Sequence, residues 1–280
     1  MENKSAEVLP IRDALAFEYS YPLGLPKKSF QGDDYYLGDN LGSEAIFTYY
    51  LKDKIKSRKD QRLEKEKETN DDRYPSYKEL KAEKEEEDHY LLFTIKNASG
   101  AIVRKLTSAP SVGVNRIHWD LRTASTSPVS LKSSAFYNPF SGGDKGTLVA
   151  PGDYTVSLSK YVDGVFSTLG APVAFKVKSL NNTVLPAKDR GVLESFQKEV
   201  NELARVVGGA QNSMGELRNE LKHIKEAINK SLTDQEALTT AYTEFRKKLN
   251  GVAVGINGDR VASQLDIDKP MSVSQRLGLI

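Results

Sequence analysis

Residues 91–177 constrain the fold most tightly. Leu91-Leu92-Phe93-Thr94-Ile95-Lys96 leads into Asn97-Ala98-Ser99-Gly100, and Ala101-Ile102-Val103-Arg104-Lys105-Leu106 runs back. Apolar and polar residues alternate on both sides of the short Ser-Gly turn, the pattern of a β-hairpin with one buried face. Two further strand-like runs follow, Gly113 to Asp120 with the only tryptophan, Trp119, and Ala150 to Leu158. Together they predict an antiparallel β-sandwich, an architecture that more often serves as scaffold or spacer than as a reaction vessel.

Upstream, Glu44-Ala45-Ile46-Phe47-Thr48-Tyr49-Tyr50-Leu51 has the β-branched and aromatic content of a strand, and we take it as the first of the sandwich. The charged run from Lys52 to Asp88 then reads as an insertion, basic at its start and acidic at its end. Arg62 and Glu66 pair opposite charges at helical spacing, which predicts a solvated helix or helical hairpin broken near Tyr74-Pro75-Ser76. Residues 1–43 carry Pro10, Pro22, Pro26 and several glycines that interrupt any periodicity. Yet Phe17, Tyr19, Tyr21, Phe30, Tyr35 and Tyr36 make the segment too aromatic for a disordered tail. An ordered strap lying across a partner surface is expected there.

After Val177 the apolar period changes from two to three and four. Leu193, Phe196, Val200, Leu203 and Val207 form one stripe, and Ala210, Met214, Leu217, Leu221, Ile224 and Ile228 form another close to a coiled-coil seam. Thr233 with Glu236 is expected to form a capping box for a third helix bearing Leu238, Ala241, Phe245 and Leu249, stopped by Gly251. Stripes of this kind need one another, so a small antiparallel helical bundle is predicted. Ser272 and Gln275 read as a fresh capping box close to Ile280, which suggests a bundle cut short of its natural end.

Composition excludes several functions. Lys plus Arg number 40 against 38 Asp plus Glu, so no overall field draws the molecule to nucleic acid or to an anionic membrane. Asp53 and Asp60 interrupt the basic run Lys52 to Arg62, and no aromatics interleave it for stacking on bases. Cysteine is absent, which removes disulfides, thiolate ligands and cysteine nucleophiles. No signal peptide is visible, and nothing approaches the roughly 20 apolar residues that cross a bilayer.

No catalytic, cofactor or metal site is expected. His89, His118 and His223 lack ligand spacing, and His118 alternates with Trp119, the better core candidate. Glycosidase chemistry needs two carboxyls about 5 to 10 Å apart across a cleft. Asp120 is read instead as ending a strand, and Asp153 as shaping the turn after Pro151-Gly152. The nucleophile-elbow, dinucleotide and phosphate-loop glycine patterns are all missing, and Gly142-Gly143-Asp144-Lys145-Gly146 is read as a loop. Tyr19, Tyr21, Tyr35 and Tyr36 are the candidate contacts, for packing on a protein partner in preference to stacking on sugars.

Several segments carry a family resemblance. They are Tyr21-Pro22-Leu23-Gly24-Leu25-Pro26-Lys27-Lys28-Ser29-Phe30-Gln31-Gly32, Phe47-Thr48-Tyr49-Tyr50-Leu51-Lys52-Asp53, Tyr74-Pro75-Ser76-Tyr77 and Arg116-Ile117-His118-Trp119-Asp120-Leu121-Arg122. Over almost its whole length the chain resembles the C-terminal part of large secreted bacterial proteins. These are described as sortilin-like or Asp-box (bacterial neuraminidase) repeat proteins and are often labelled glycosyl hydrolases. Ala98-Ser99-Gly100, Trp119-Asp120 and Pro151-Gly152-Asp153-Tyr154-Thr155 more loosely resemble the immunoglobulin-like domain of the flagellar hook-capping protein. The resemblance implies a β-propeller preceding an immunoglobulin-like domain and a helical bundle, and an extracellular or periplasmic location. An Asp-box reads Ser-x-Asp-x-Gly-x-x-Trp, and no such residues precede Trp119, so any hydrolase label attaches to a propeller outside these residues.

The sequence therefore predicts a multidomain α+β chain. An aromatic strap (1–43) precedes an immunoglobulin-like sandwich (44–180) with a helical insertion (52–88), and a truncated helical bundle (181–280) follows. The expected role is a non-catalytic accessory region that supports domain packing or docks a propeller or protein partner. The alternatives are a part of a glycoside hydrolase that touches carbohydrate through the tyrosine-rich segment, or a free-standing binding module.

Overall fold

A computed structural model describes residues 5–17, 38, 42–70, 73–129, 146–180, 189–232 and 235–279. The chain is mixed α and β, with two sheets and six helices among the described residues. It divides into two compact units, residues 1–124 with 147–190, and residues 125–146 with 191–280.

The first unit holds both sheets. Strands β1 (Ala6–Val8), β3 (Ala45–Leu51) and β6 (Gly113–Trp119) form one, in the order β1-β3-β6. Strands β2 (Ala14–Ala16), β4 (Tyr90–Asn97), β5 (Ile102–Ser108), β7 (Gly152–Val162) and β8 (Val165–Ser179) form the other, in the order β2-β8-β7-β4-β5. Every pairing is antiparallel except β2 with β8.

Alternation sets which side chains face inward. Ala45, Phe47, Tyr49 and Leu51 of β3 are buried, as are Leu91, Phe93 and Ile95 of β4 and Tyr154, Val156 and Leu158 of β7. These residues fill one core with Trp119, Phe175 and Val177. Aromatic rings lock the two sheets together: Phe47 meets Phe175 edge-on at 5.4 Å, and Tyr49 meets Phe93 at 5.0 Å. Burying each such side chain stabilises the fold by about 1.5–3 kcal/mol.

The predicted hairpin is β4–β5. Asn97 anchors its turn, its side-chain oxygen accepting from the Ala101 amide at 3.0 Å and from the Ser99 hydroxyl at 2.7 Å. Gly100 takes the positive φ (81°) that closes the turn.

Residues 6–16 depart from expectation. The sequence predicts an irregular segment with Glu44 to Leu51 as the first strand, yet two strands precede it. β1 pairs with β3 (Ala6↔Leu51) in one sheet, and β2 runs parallel to β8 (Ala14↔Val177) in the other. The chain thus switches sheets within a few residues. Each strand is three residues long and buries mainly alanine, too little to leave a periodic signal.

The insertion is a helical hairpin, α1 (Arg58–Thr69) and α2 (Tyr77–Glu85), broken at Tyr74-Pro75-Ser76 as expected. Ser57 with Asp60 and Ser76 with Glu79 each make a complete capping box. Neither helix buries a residue, so charge pairing and caps carry much of their stability.

The second unit is helical. In place of two successive helices, one 40-residue helix, α3 (Arg190–Asn229), runs through Gly208 and Gly209. Its buried residues Val207, Met214, Leu221 and Ile228 keep a strict seven-residue interval, so the stripe is uninterrupted across the glycines. A second correction concerns α4 (Glu236–Asn257), which passes through Gly251 and ends before Gly258, whose φ is 93°. Its N-cap is Gln235, without a side-chain cap bond; Thr233 lies outside the described residues. Met214, Leu221, Leu249 and Ala253 form a small core between the two helices. Asn257 accepts a hydrogen bond from Gln211 at 2.5 Å, and Leu221, further along α3, shares the core with Leu249, earlier on α4, so α4 runs antiparallel to α3. Short helices α5 (Arg260–Gln264) and α6 (Val273–Leu277) follow. Ser272 and Gln275 form the predicted capping box of α6.

Candidate functional site

The candidate contacts Tyr19, Tyr21, Tyr35 and Tyr36 lie outside the described residues, as does Phe30. Of the strap aromatics, Phe17 is described; the Ser43 hydroxyl donates to its carbonyl at 2.8 Å. The loop residues Gly142 to Lys145 also fall outside.

The three histidines occupy separate elements. His118 on β6 is exposed, with Nδ1 3.1 Å from a Glu44 carboxylate oxygen, while the adjacent Trp119 is completely buried. His223 lies exposed on α3. His89, between α2 and β4, is half-buried, its side chain 7 % exposed with Nε2 3.1 Å from Glu86 Oε1. No group of three or more His, Asp or Glu side chains that could hold a metal occurs among the described residues.

The two weighed carboxylates serve the backbone and a surface pair. β6 ends at Trp119, and Asp120 accepts from the Arg122 amide at 3.2 Å in the following bend, where Leu121 has φ 55°. Asp153 does not shape a turn. It belongs to β7, largely exposed, with an oxygen 3.6 Å from Lys176 Nζ.

The densest polar constellation was not visible in the sequence. It lies in the first unit, where the helical insertion meets the β7–β8 turn. Both carboxylate oxygens of Glu86 accept from the Arg58 amide, at 3.0 and 2.9 Å. The Arg58 guanidinium pairs with Asp163 in that turn, and the Tyr161 hydroxyl donates to Glu87. Beside them Tyr161 stacks on Tyr90 at 4.7 Å and meets Phe166 at 4.8 Å. The Arg58–Asp163 pair spans 105 residues, and only opposite charge could have hinted at it.

Electrostatically, these contacts hold charges in place. Lys178 beside Asp13, Lys54 beside Asp60 and Arg62 beside Glu83 each hold the carboxyl below its ordinary pKa, and the Ser76 cap does the same for Glu79. General-acid work at neutral pH needs a carboxyl displaced upward, the opposite direction. The hydrogen bond to the Glu87 carboxylate raises the Tyr161 hydroxyl, which keeps it a donor. This is the chemistry of an ion-paired brace.

A cleft of the first unit lined by Arg12, Asp13, Leu15, Glu44 and Ile46 has a volume of about 120 Å³, and two larger, open hollows of about 450 and 380 Å³ lie on the helical insertion around Arg73 and Tyr74. No helix among the described residues is long and apolar enough to cross a membrane. No known family model matches the chain, and no curated protein matches it.

Proposed function

We propose that the chain is a non-catalytic accessory region. Its first unit is an immunoglobulin-like domain and its second part of a helical bundle, together supporting or presenting a neighbouring domain or protein. The strand connectivity carries this reading. With β1 and β2 as a first strand split between the sheets, the orders β1-β3-β6 and β2-β8-β7-β4-β5 match A-B-E and A′-G-F-C-C′ of an immunoglobulin fold. The Tyr154 hydroxyl donates to the Ala150 carbonyl at 2.6 Å, four residues upstream at the start of the F-equivalent strand, as a tyrosine corner does.

Packing agrees with a supporting role. Trp119, Tyr49, Phe47 and Phe93 fill the space between the sheets, leaving that interior to side chains and not to a ligand. The ion-paired insertion is braced to the β7–β8 turn, which stiffens one end of the domain. The resemblance to sortilin-like, Asp-box repeat proteins makes a secreted β-propeller the partner we propose.

Sequencing the coding DNA on both sides tests the reading. An upstream reading frame with Asp-box repeats continuous with this one supports it. Stop codons on both sides overturn it, as does glycoside hydrolysis by the purified chain.

A further inference from the structure

The helical unit presents a second apolar seam that its own helices leave half open. On α3, Leu193, Val200, Val207, Met214, Leu221 and Ile228 occupy one heptad position, a, while Phe196, Leu203, Ala210, Leu217 and Ile224 occupy d. On α4, Tyr242, Leu249 and Ile256 are a, and Leu238, Phe245 and Val252 are d. The contact between the helices uses the a columns with e of α4: Met214, Leu221 and Leu249 at a and Ala253 at e are buried there. Most of the d columns are not consumed, although Leu217 packs against that core. Ile224 on α3 and Leu238, Phe245 and Val252 on α4 remain 46–56 % exposed, as do Phe196 and Leu203 on the stretch of α3 beyond the end of α4.

Heptad geometry places both open columns on one face. Position d lies about 60° around the helix from a, and reversing a helix mirrors that sense. In an antiparallel pair joined through a, the two d columns therefore fall on the same side. The Gln211–Asn257 hydrogen bond fixes the levels, bringing Leu217 opposite Val252 and Ile224 opposite Phe245. α4, with 22 residues, is about 33 Å long, so the two-helix face offers roughly 660 Å² at about 10 Å per helix. That is close to the roughly 800 Å² per partner of a stable interface.

We infer that this face takes a second copy of the chain, forming an antiparallel four-helix interface about a two-fold axis parallel to the helices. The inference goes beyond the accessory reading, since it concerns the helical unit alone. Charge selects both the occupant and the axis. The charged g positions beside the two-helix face are Glu220 on α3 and Lys248 on α4, both exposed, while Ser213, Ala227, Ala241 and Gly255 at the other g positions there carry no charge. Glu220 and Lys248 stand at the same level on their helices, because their numbers share the sum set by Gln211 and Asn257. A dyad parallel to the helices preserves level, sets α3 against the partner's α4, and brings Glu220 beside Lys248 of the partner subunit twice. A dyad across the helices would set α3 on α3 and α4 on α4, acid against acid and base against base. The surface is thus complementary to itself in one arrangement.

Sedimentation equilibrium on the full 280-residue chain tests this. A dimer of twice the 31.0 kDa monomer mass is expected at micromolar concentration. Phe245→Glu should give a monomer that keeps its helical circular dichroism. Lys248→Glu, at an exposed position that cannot disturb the monomer's core, should raise the dissociation constant at least about ten-fold. Glu220→Lys combined with Lys248→Glu should restore most of that loss. A monomer at about 100 µM overturns the inference, as does a dimer indifferent to Lys248→Glu or one that the double reversal fails to restore.

Discussion

Removing one hydroxyl, by Tyr154→Phe, tests how the first unit is held at its β7 end. The ring of Tyr154 is buried, 5.6 Å from Trp119 in a T-shaped contact and 6.0 Å from Phe175. Its hydroxyl donates to the Ala150 carbonyl at 2.6 Å. A hydrogen bond of this kind contributes a net 0.5–1.5 kcal/mol, and leaving its carbonyl partner poorly satisfied adds to the loss, so about 1–2 kcal/mol is expected. The unit spans 124 plus 44 residues, 168 in all, and a domain of that size shifts Tm by about 2–4 °C per kcal/mol. The melting temperature should therefore fall by about 2–8 °C. Tyr154→Ala also removes the ring contacts and leaves a cavity, and should cost about 3–5 kcal/mol. Trp119 is the only tryptophan and is completely buried in this unit, so its fluorescence in a urea titration reports this unit and not the helical one. A Tyr154→Phe loss below about 0.3 kcal/mol, with an unchanged urea slope, would refute the claim that the corner bond clamps the strand.

Two other predictions concern different parts of the chain. Glu83 is held below its ordinary value of 4.5, chiefly by its hydrogen bond from Arg62. A lowered folded pKa stabilises above the unfolded value, so this contribution is complete at neutral pH and fades as pH falls through 4.5 and below. Hydrogen exchange should show α1 and α2 opening on acidification before β4 does, and Arg62→Gln should flatten that response. Equal protection of α1, α2 and β4 throughout the titration would contradict this. Gly258 caps α4 at φ 93° and ψ 165°, a region open to glycine almost alone. Gly258→Ala should destabilise the helical unit by about 1–3 kcal/mol, read by far-UV circular dichroism during thermal unfolding, with Trp119 fluorescence unchanged.

What the sequence disclosed depended on how local the physics was. The β4–β5 hairpin was legible because alternation and the Asn97–Gly100 turn lie within about twenty residues of one another. The helical insertion was legible from Arg62–Glu66 spacing and the break at Pro75. Strands β1 and β2 were not, because their pairing partners lie 45 and 163 residues away and their own side chains are mostly alanine. The continuity of α3 was obscured by Gly208 and Gly209. Each glycine costs about 1 kcal/mol in a helix, but neither occupies the buried column, so the heptad continues across them. The same split governs the candidate sites. The four strap tyrosines were chosen by composition alone, whereas the Arg58–Asp163 and Tyr161–Glu87 brace exists only once β7 and β8 are in register. The open d column obeys a third logic. Its residues were readable as members of separate helical stripes, but only the three-dimensional pairing of α3 with α4 separates the half that is buried from the half that remains available. Self-complementary charge at Glu220 and Lys248 then makes that available half a specific surface, and this is why the exposed lysine, more than any core residue, decides whether it is used.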